Sequence, residues 1–482
     1  GFIKIAPSEN KQAFHDRIAG TLVVSRNGDF VKIENTAFSV SEKLLIAFSI
    51  LIIAFNIFFF SIFGFDSKLT PSAQEWKYRQ IEEENPEENG FYYLIGFGVA
   101  EDENLFQKGF EWIQFENNKT DFKKNQININ ADFFDYKHAQ EIGICPSDSL
   151  DTNSLLLKNE KEIRELYSST RYLDERLTQI LSKTKSVSTL APCWTGGIPV
   201  YLSMVNFFRL EAAIIKLDYL KGDYTKSTDN CLRRMNQLKE LSERSHLLMG
   251  KLIFVICDAI LQNTISDLIS YKQTEELTSM LSELRFYSKD EISFSKAFLH
   301  EANMYILKLM NYSDDTSFIE RANLYLTAML MKPNHTLNLR YNRFKTSAEL
   351  SEMSFKDFAT NYSNEIEAVE WSGFDAIRNP YGFVIDGTLG NEVFYIHLRY
   401  FVKAQVNSAM PILLKLKDNL LQKINSENMN DEEIQALLNS QPEELKNPFT
   451  GEPVSWNSEL RRFEFDLPFV DDAQTANNWI EI

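Results

Sequence analysis

Positive charge in patches, closely spaced cysteine pairs and every short catalytic signature are missing from this chain, and each absence narrows what it can be. Lys and Arg total 50 against 68 Asp and Glu, a formal net charge of -18, and no block of basic residues stands out. Counterion release from a phosphate backbone needs clustered positive charge, so nucleic acid is not an expected partner. Of four cysteines, Cys145, Cys193, Cys231 and Cys257, no two are spaced C-x-x-C, which argues against zinc ribbons and thioredoxin-like chemistry. There is no Gly-x-Ser-x-Gly, no P-loop and no Ser-x-x-Lys with its partner motifs. His300-Glu301 lacks the second His of a helical zinc site, and Gly96-x-Gly98 lacks the third Gly of a dinucleotide fingerprint. No cofactor and no metal is expected.

What is present is one long apolar run. Leu44–Phe65 carries no charge between Lys43 and Asp66, and as a helix it would be roughly 33 Å long, against about 30 Å of bilayer hydrocarbon. The run is too long for a signal-peptide core and no Ala-x-Ala follows it, so a retained single-pass anchor is expected. Arg26, Lys32 and Lys43 before it balance Lys68, Lys77 and Arg79 after it, which silences the positive-inside rule. The short N-terminal segment points to a cytoplasmic N-terminus and a periplasmic C-terminal part. Asn56 is the one strongly polar side chain in the run, either a contact for another helix in the membrane or a tolerated lone amide.

The expected fold is mainly α: one N-terminal transmembrane helix, a large soluble domain of αα-hairpins, and a small C-terminal β-hairpin. The expected divisions are 1–43, an N-terminal tail with a hairpin signal at Asn27-Gly28; 44–65, the span; 66–90, an acidic linker containing Glu82-Glu83-Glu84; 91–372, the helical domain; and 373–482, a helical region ending in strands. Periodicity leaves Phe91–Ala100 open between buried strand and short helix. From Asn159 onward helices dominate. Val205, Phe208, Ala212, Ile215 and Tyr219 recur at helical spacing, Gly222-Asp223 breaks the helix, and Cys231, Met235, Leu238 and Leu241 resume it. Leu247–Ile269 is apolar round much of its circumference and reads as the central helix. Pro411 is expected to kink or separate helices at 392–409 and 412–424. Val454, Trp456, Phe463, Phe465 and Leu467 alternate with polar residues on either side of Asn457-Ser458, as a hairpin with one apolar face would.

Leu217-Asp-Tyr-Leu-Lys-Gly-Asp-Tyr224 resembles the turn of a tetratricopeptide-type helical hairpin, over one hairpin only, without the repeating 34-residue period. Asn447-Pro-Phe-Thr-Gly-Glu-Pro-Val-Ser-Trp456 and Asn379-Pro-Tyr-Gly382, with the layout of a span followed by helices, resemble uncharacterised single-span inner-membrane proteins of Gram-negative bacteria. That resemblance implies location and helical architecture and no activity.

Cys145 and Cys193 lie in loop-like sequence flanking the first long helix and would pair as a disulfide in an oxidising periplasm. Cys231 and Cys257 sit on apolar helix faces, where buried free thiols are expected. A nucleophilic Cys193 would need His246 or His300 as its base, with Thr195-Gly196-Gly197 as oxyanion donors. Asp314-Asp315 and Asp471-Asp472 are adjacent acids of the type that serves glycosidic hydrolysis, and Asp386, His397 and Arg399 cluster round one helix start. The expected function is a membrane-anchored, non-enzymatic interaction or scaffold module of the bacterial envelope, with the bilayer and a protein of unspecified identity as partners. The alternative is an envelope-glycan hydrolase working with a carboxylate pair.

Overall fold

The computed structural model describes residues 40–63, 66–78, 85–117, 135–145, 152–183, 199–245, 247–285, 287–298, 332–367, 391–467 and 478–482. The chain divides into two units, Gly1–Gly64 and Phe65–Ile482. The described part of the first is one helix, α1 (Val40–Phe63). Its Leu44, Leu45, Phe48, Leu51, Phe55 and Phe58 are each more than half exposed. Two polar side chains in it bond their own backbone: Ser49 Oγ donates to the Leu45 carbonyl at 2.8 Å and Asn56 Nδ2 to the Ile52 carbonyl at 2.7 Å.

The second unit is mainly helical with a small antiparallel sheet. In order come α2 (Pro71–Tyr78), α3 (Gly90–Ile95), α4 (Leu105–Asn117), α5 (Tyr136–Glu141), α6 (Thr152–Lys158), α7 (Glu160–Ser169) and α8 (Tyr172–Leu181). Then follow α9 (Pro199–Leu220), α10 (Tyr224–Arg244), α11 (Leu248–Tyr271), α12 (Glu275–Glu283), α13 (Lys289–Ile292), α14 (Pro333–Ser351), α15 (Phe355–Glu367), α16 (Asn391–Glu427) and α17 (Asp431–Asn439).

The hairpin α9–α10 forms where its sequence pattern places it. Gly222, at φ +90°, takes the left-handed position after α9. Asp223 N–H then bonds the Asp218 carbonyl at 2.9 Å, the Schellman closure that a Gly at C′ permits. The resumed residues Cys231, Met235, Leu238 and Leu241 are all buried. Helix α9 exceeds the single apolar face read from its period. Phe208, Ile215 and Tyr219 join the main core, while Leu210, Ala213, Ile214 and Leu217 form a second core with Ile142, Cys145, Leu156 and Ile163. A helix apolar on opposite faces is sandwiched between layers.

Helix α11 packs against α9, α10 and α16. It is long and apolar enough to cross a membrane, but 61% of its most apolar window is buried inside the fold, so it serves as the core helix its sequence suggested.

Four sequence readings are resolved, altered or extended. Of residues 91–100, left open between strand and short helix, 91–98 are helical, α3 running into a 3₁₀ turn at Gly96–Gly98. Here Gly96 serves packing: a Cβ on it would lie 2.0 Å from the Leu105 carbonyl oxygen, and one on Gly109 would lie 1.9 Å from that of Tyr92. Helices α3 and α4 therefore cross backbone to backbone. Residues 66–70, expected within a linker, are fastened to α14. Asp66 accepts the Asn334 and His335 amides at the start of that helix, a carboxylate brought from elsewhere in the chain to a helix N-terminus, where the helix dipole favours it. Asn338 bonds both the Lys68 carbonyl and the Thr70 amide.

Pro411 lies inside a continuous α16. A proline N cannot bond the carbonyl four residues back, and that carbonyl, of Asn407, instead accepts from Gln262 Nε2 of α11 at 3.0 Å. Finally, the C-terminal hairpin Ser455–Asn457 (β1) and Arg462–Glu464 (β2) gains a third strand, Trp479–Glu481 (β3), paired antiparallel to β2. Phe463, Phe465 and Ile480 bury its apolar face. The tail before α1, with its hairpin signal, and Glu82-Glu83-Glu84 lie outside the described residues.

Candidate functional site

Two polar arrangements stand out, one open to solvent and one buried. The open one is a cleft of about 350 Å³ between α10 and α12, next to the Gly222 turn. Leu232 and Met280 give it an apolar base, Thr225, Thr228 and Ser279 add hydroxyls, and Asp229, Glu275, Glu276 and Glu283 bring four carboxylates. Glu275 and Glu276 stand in the first turn of α12 behind the N-cap Thr274, where the helix dipole favours negative charge. None of the four carboxylates has an ion pair among the described residues. A surface of this kind attracts a cationic segment with small apolar neighbours.

The buried arrangement runs through the α8–α9–α10–α11–α16 core. Arg234, fully buried, donates to Glu211 Oε1 and to Asp174 Oδ1, each at 2.5 Å, and to Gln237 Oε1 at 2.9 Å. Glu211 also accepts from Tyr167 Oη at 3.1 Å and Asn230 Nδ2 at 3.2 Å. Burial opposes the charge on Arg234, and the Glu211 and Asp174 carboxylates outweigh it and raise the guanidinium's pKa. Near the middle of α11, Asp258 Oδ2 accepts from Gln262 Nε2 at 2.5 Å and from Asn407 Nδ2 at 2.7 Å. Burial pushes this carboxyl up to about 6, against the opposing pull of Lys239, Tyr287 and the two amides. Lys239 Nζ donates to the Arg285 carbonyl at 2.7 Å, and burial lowers its pKa.

Two more interior amines follow the same rule. Burial, helped by Lys296, brings Lys251 down to about 7. Lys417, donating to Ser266 Oγ at 2.9 Å, is brought down by burial to about 8.

A third device is structural. Arg176 of α8 donates to the Phe97 carbonyl at 3.1 Å and the Ala100 carbonyl at 2.6 Å and lies over the Tyr172 ring. One guanidinium thus satisfies the carbonyls of a turn that has no ladder of its own.

The residues singled out from sequence fare unevenly. Cys145 is a buried free thiol, its pKa raised by burial against the nearby charge of Arg209. Its expected partner Cys193 lies outside the described residues. Cys231 and Cys257 are buried free thiols; burial pushes Cys231 up to about 12 and Cys257 higher still, so neither supplies thiolate at neutral pH. His246, His300, Asp314, Asp315, Asp386, Asp471 and Asp472 lie outside the described residues, as do the side chains of His397 and Arg399. The motif at Asn447 is a packed turn: Asn447 Nδ2 donates to the Asp466 carbonyl at 2.8 Å, and Trp456 Nε1 to Asp431 Oδ1 at 2.8 Å.

The cleft escaped sequence reading because its walls come from helices on either side of α11. Each acid, taken alone, is an ordinary solvated helix residue. No protein-family model matches the chain, and neither a curated protein nor a solved structure matches it.

Proposed function

We propose that this chain is a membrane-anchored interaction module of the bacterial envelope. In this reading α1 spans the inner membrane once, the N-terminus is cytoplasmic, and the helical unit lies in the periplasm, where the acidic cleft between α10 and α12 takes a basic segment of another protein. The observation that carries it is α1, a 24-residue helix about 36 Å long, whose large apolar side chains from Leu44 to Phe58 are exposed and whose Ser49 and Asn56 bond their own backbone. Such a surface is unfavourable in water by about 25 cal/mol per Å², and internal satisfaction of polar groups is what hydrocarbon demands.

The test has two arms, both on the full chain. For the anchor, wild-type protein stays in the membrane pellet through alkaline extraction, while Ile53→Arg, a charge near mid-helix, shifts a large fraction to the supernatant. Wild-type protein that extracts fully would refute the anchor. For the cleft, a synthetic Lys/Arg-rich amphipathic peptide should bind detergent-solubilised protein. Binding should fall at least tenfold in a Glu275→Lys, Glu276→Lys, Glu283→Lys variant and weaken as salt rises. Equal binding by wild type and variant would refute the cleft assignment.

A further inference from the structure

The Asp258 cluster has two features that packing alone does not require. First, Asp258 Oδ1 and Gln262 Oε1, both acceptors and both buried, have no hydrogen-bond partner. They sit four residues apart on one face of α11, their other polar atoms already engaged with each other and with Asn407. Two such buried acceptors are costly; the Tyr287 hydroxyl acts on the Asp258 carboxyl as a donor but has one proton to give, which leaves the Gln262 oxygen without a donor and the pair one proton short. Second, the cluster sits where α16 has lost a backbone bond. Gln262 Nε2 bridges Asp258 Oδ2 and the Asn407 carbonyl that Pro411 leaves unbonded. The carboxyl that orients Gln262 therefore also controls how α16 is held through its proline.

The groups facing Asp258 are identifiable from each side. Helix α10 presents Lys239 and the Cys231 thiol, the segment after α12 presents the Tyr287 hydroxyl, and α11 itself contributes the Cys257 thiol. Helix α16 offers the neutral Asn407 amide. Lys239 and Tyr287 favour the carboxylate and burial opposes it, so the site is divided between two protonation states.

We propose that Asp258 is a proton-operated latch between α11 and α16: protonated, its Oδ1–H supplies the missing donor and locks Gln262 onto the Asn407 carbonyl; ionised, it leaves a buried charge at the proline and loosens that half of the unit.

The sign follows from where the carboxyl titrates. The free side chain ionises near 3.8 and the buried one near 6. The stabilisation is therefore complete below about 4, is lost as pH rises to about 6, and does not return above that. A shift of about two units corresponds to roughly a hundredfold change in the unfolding equilibrium constant.

The experiment is denaturant unfolding of the full chain in detergent between pH 4 and pH 7, for wild type and Asp258→Asn, with infrared difference spectra of the wild type over the same range. The expected result is that the ratio of the wild-type to the Asp258→Asn folding constant falls by ten- to a hundredfold from pH 4 to pH 7. A buried carboxylic-acid carbonyl band should be present at the acid end and vanish with a midpoint near 6. Should Asp258→Asn fail to fold, the infrared midpoint decides. A ratio that does not change with pH, or a wild-type spectrum without that band, would overturn the proposal, the latter including the case of an ionised Asp258 bridged by an internal water.

Discussion

Removing Glu211 is the sharpest probe of how the helical core is held. Glu211 and Arg234 are both fully shielded from solvent and meet at 2.5 Å, joining the first and second helices of the α9–α10 hairpin. Asp174 from α8 adds a second carboxylate to Arg234 at 2.5 Å. Glu211→Leu strips one of two anions from a buried guanidinium and leaves Tyr167 and Asn230 without their acceptor. Truncating one partner of a buried pair costs about 3–5 kcal/mol, and the remaining Asp174 and Gln237 contacts put this case near the lower bound, about 3 kcal/mol. Arg234→Met leaves Glu211 buried with two neutral donors, for a similar loss.

The double variant removes both charges and fills the space with apolar atoms, and such replacements in other proteins are close to neutral. It should therefore lie within about 2 kcal/mol of the parent, against about 6 kcal/mol for the sum of the single losses, giving a favourable coupling of at least about 4 kcal/mol. Urea unfolding of the full chain in detergent, followed by far-ultraviolet circular dichroism at neutral pH, measures all four species. Additive single losses, or a Glu211→Leu loss below about 1 kcal/mol, would refute a desolvated ion pair and indicate a water-filled site.

Gly109→Ala should destabilise the unit by about 3 kcal/mol or more in the same unfolding assay, because its Cβ would sit 1.9 Å from the Tyr92 carbonyl oxygen and backbone, unlike a side-chain tip, cannot step aside cheaply. Gln262→Ala should cost about 1–3 kcal/mol by stranding the Asn407 carbonyl, and clearly less in a Pro411→Ala background, where residue 411 regains the N–H that bonds it. An equal cost in both backgrounds would refute the link between Pro411 and Gln262.

Local rules made much of this fold legible. The α9–α10 hairpin could be read because Gly222 and the run Cys231, Met235, Leu238, Leu241 are short-range signals, each within one turn or one period of the next. The C-terminal strands could be read from alternation of Phe463 and Phe465 with polar neighbours. What could not be read depends on partners distant in the chain. Nothing near Pro411 announces that Gln262, 149 positions earlier, supplies a donor to the carbonyl of Asn407; the proline read as a kink or a break because only its local effect was visible. The acidic segment beginning at Asp66 looked like a linker because its acids are as frequent as those of any solvated surface. The capping role of Asp66 depends on the start of α14, more than 260 residues away. The four acids of the cleft come from two helices, and no single helix carries their pattern.

The two most apolar helices show why hydropathy alone misplaces function in such a chain. Helix α11 passes a length and hydropathy test for a membrane span, yet Lys251, Asp258 and Gln262, spaced seven and four residues apart, all lie on one side of it and are all buried. Each sends its polar end to another part of the chain: Lys251 to the Glu291 carbonyl, Asp258 to Asn407, and Gln262 to the Asn407 carbonyl. A helix of this kind needs neighbours with matching polar groups, which a folded core supplies and hydrocarbon does not. In α1 the polar residues Ser49 and Asn56, also seven apart, turn back onto carbonyls of the preceding turn. The distinguishing quantity is therefore where the polar atoms of an apolar helix find their partners. By that criterion α11 requires a protein around it, whereas Ser49 and Asn56 of α1 ask nothing of their surroundings.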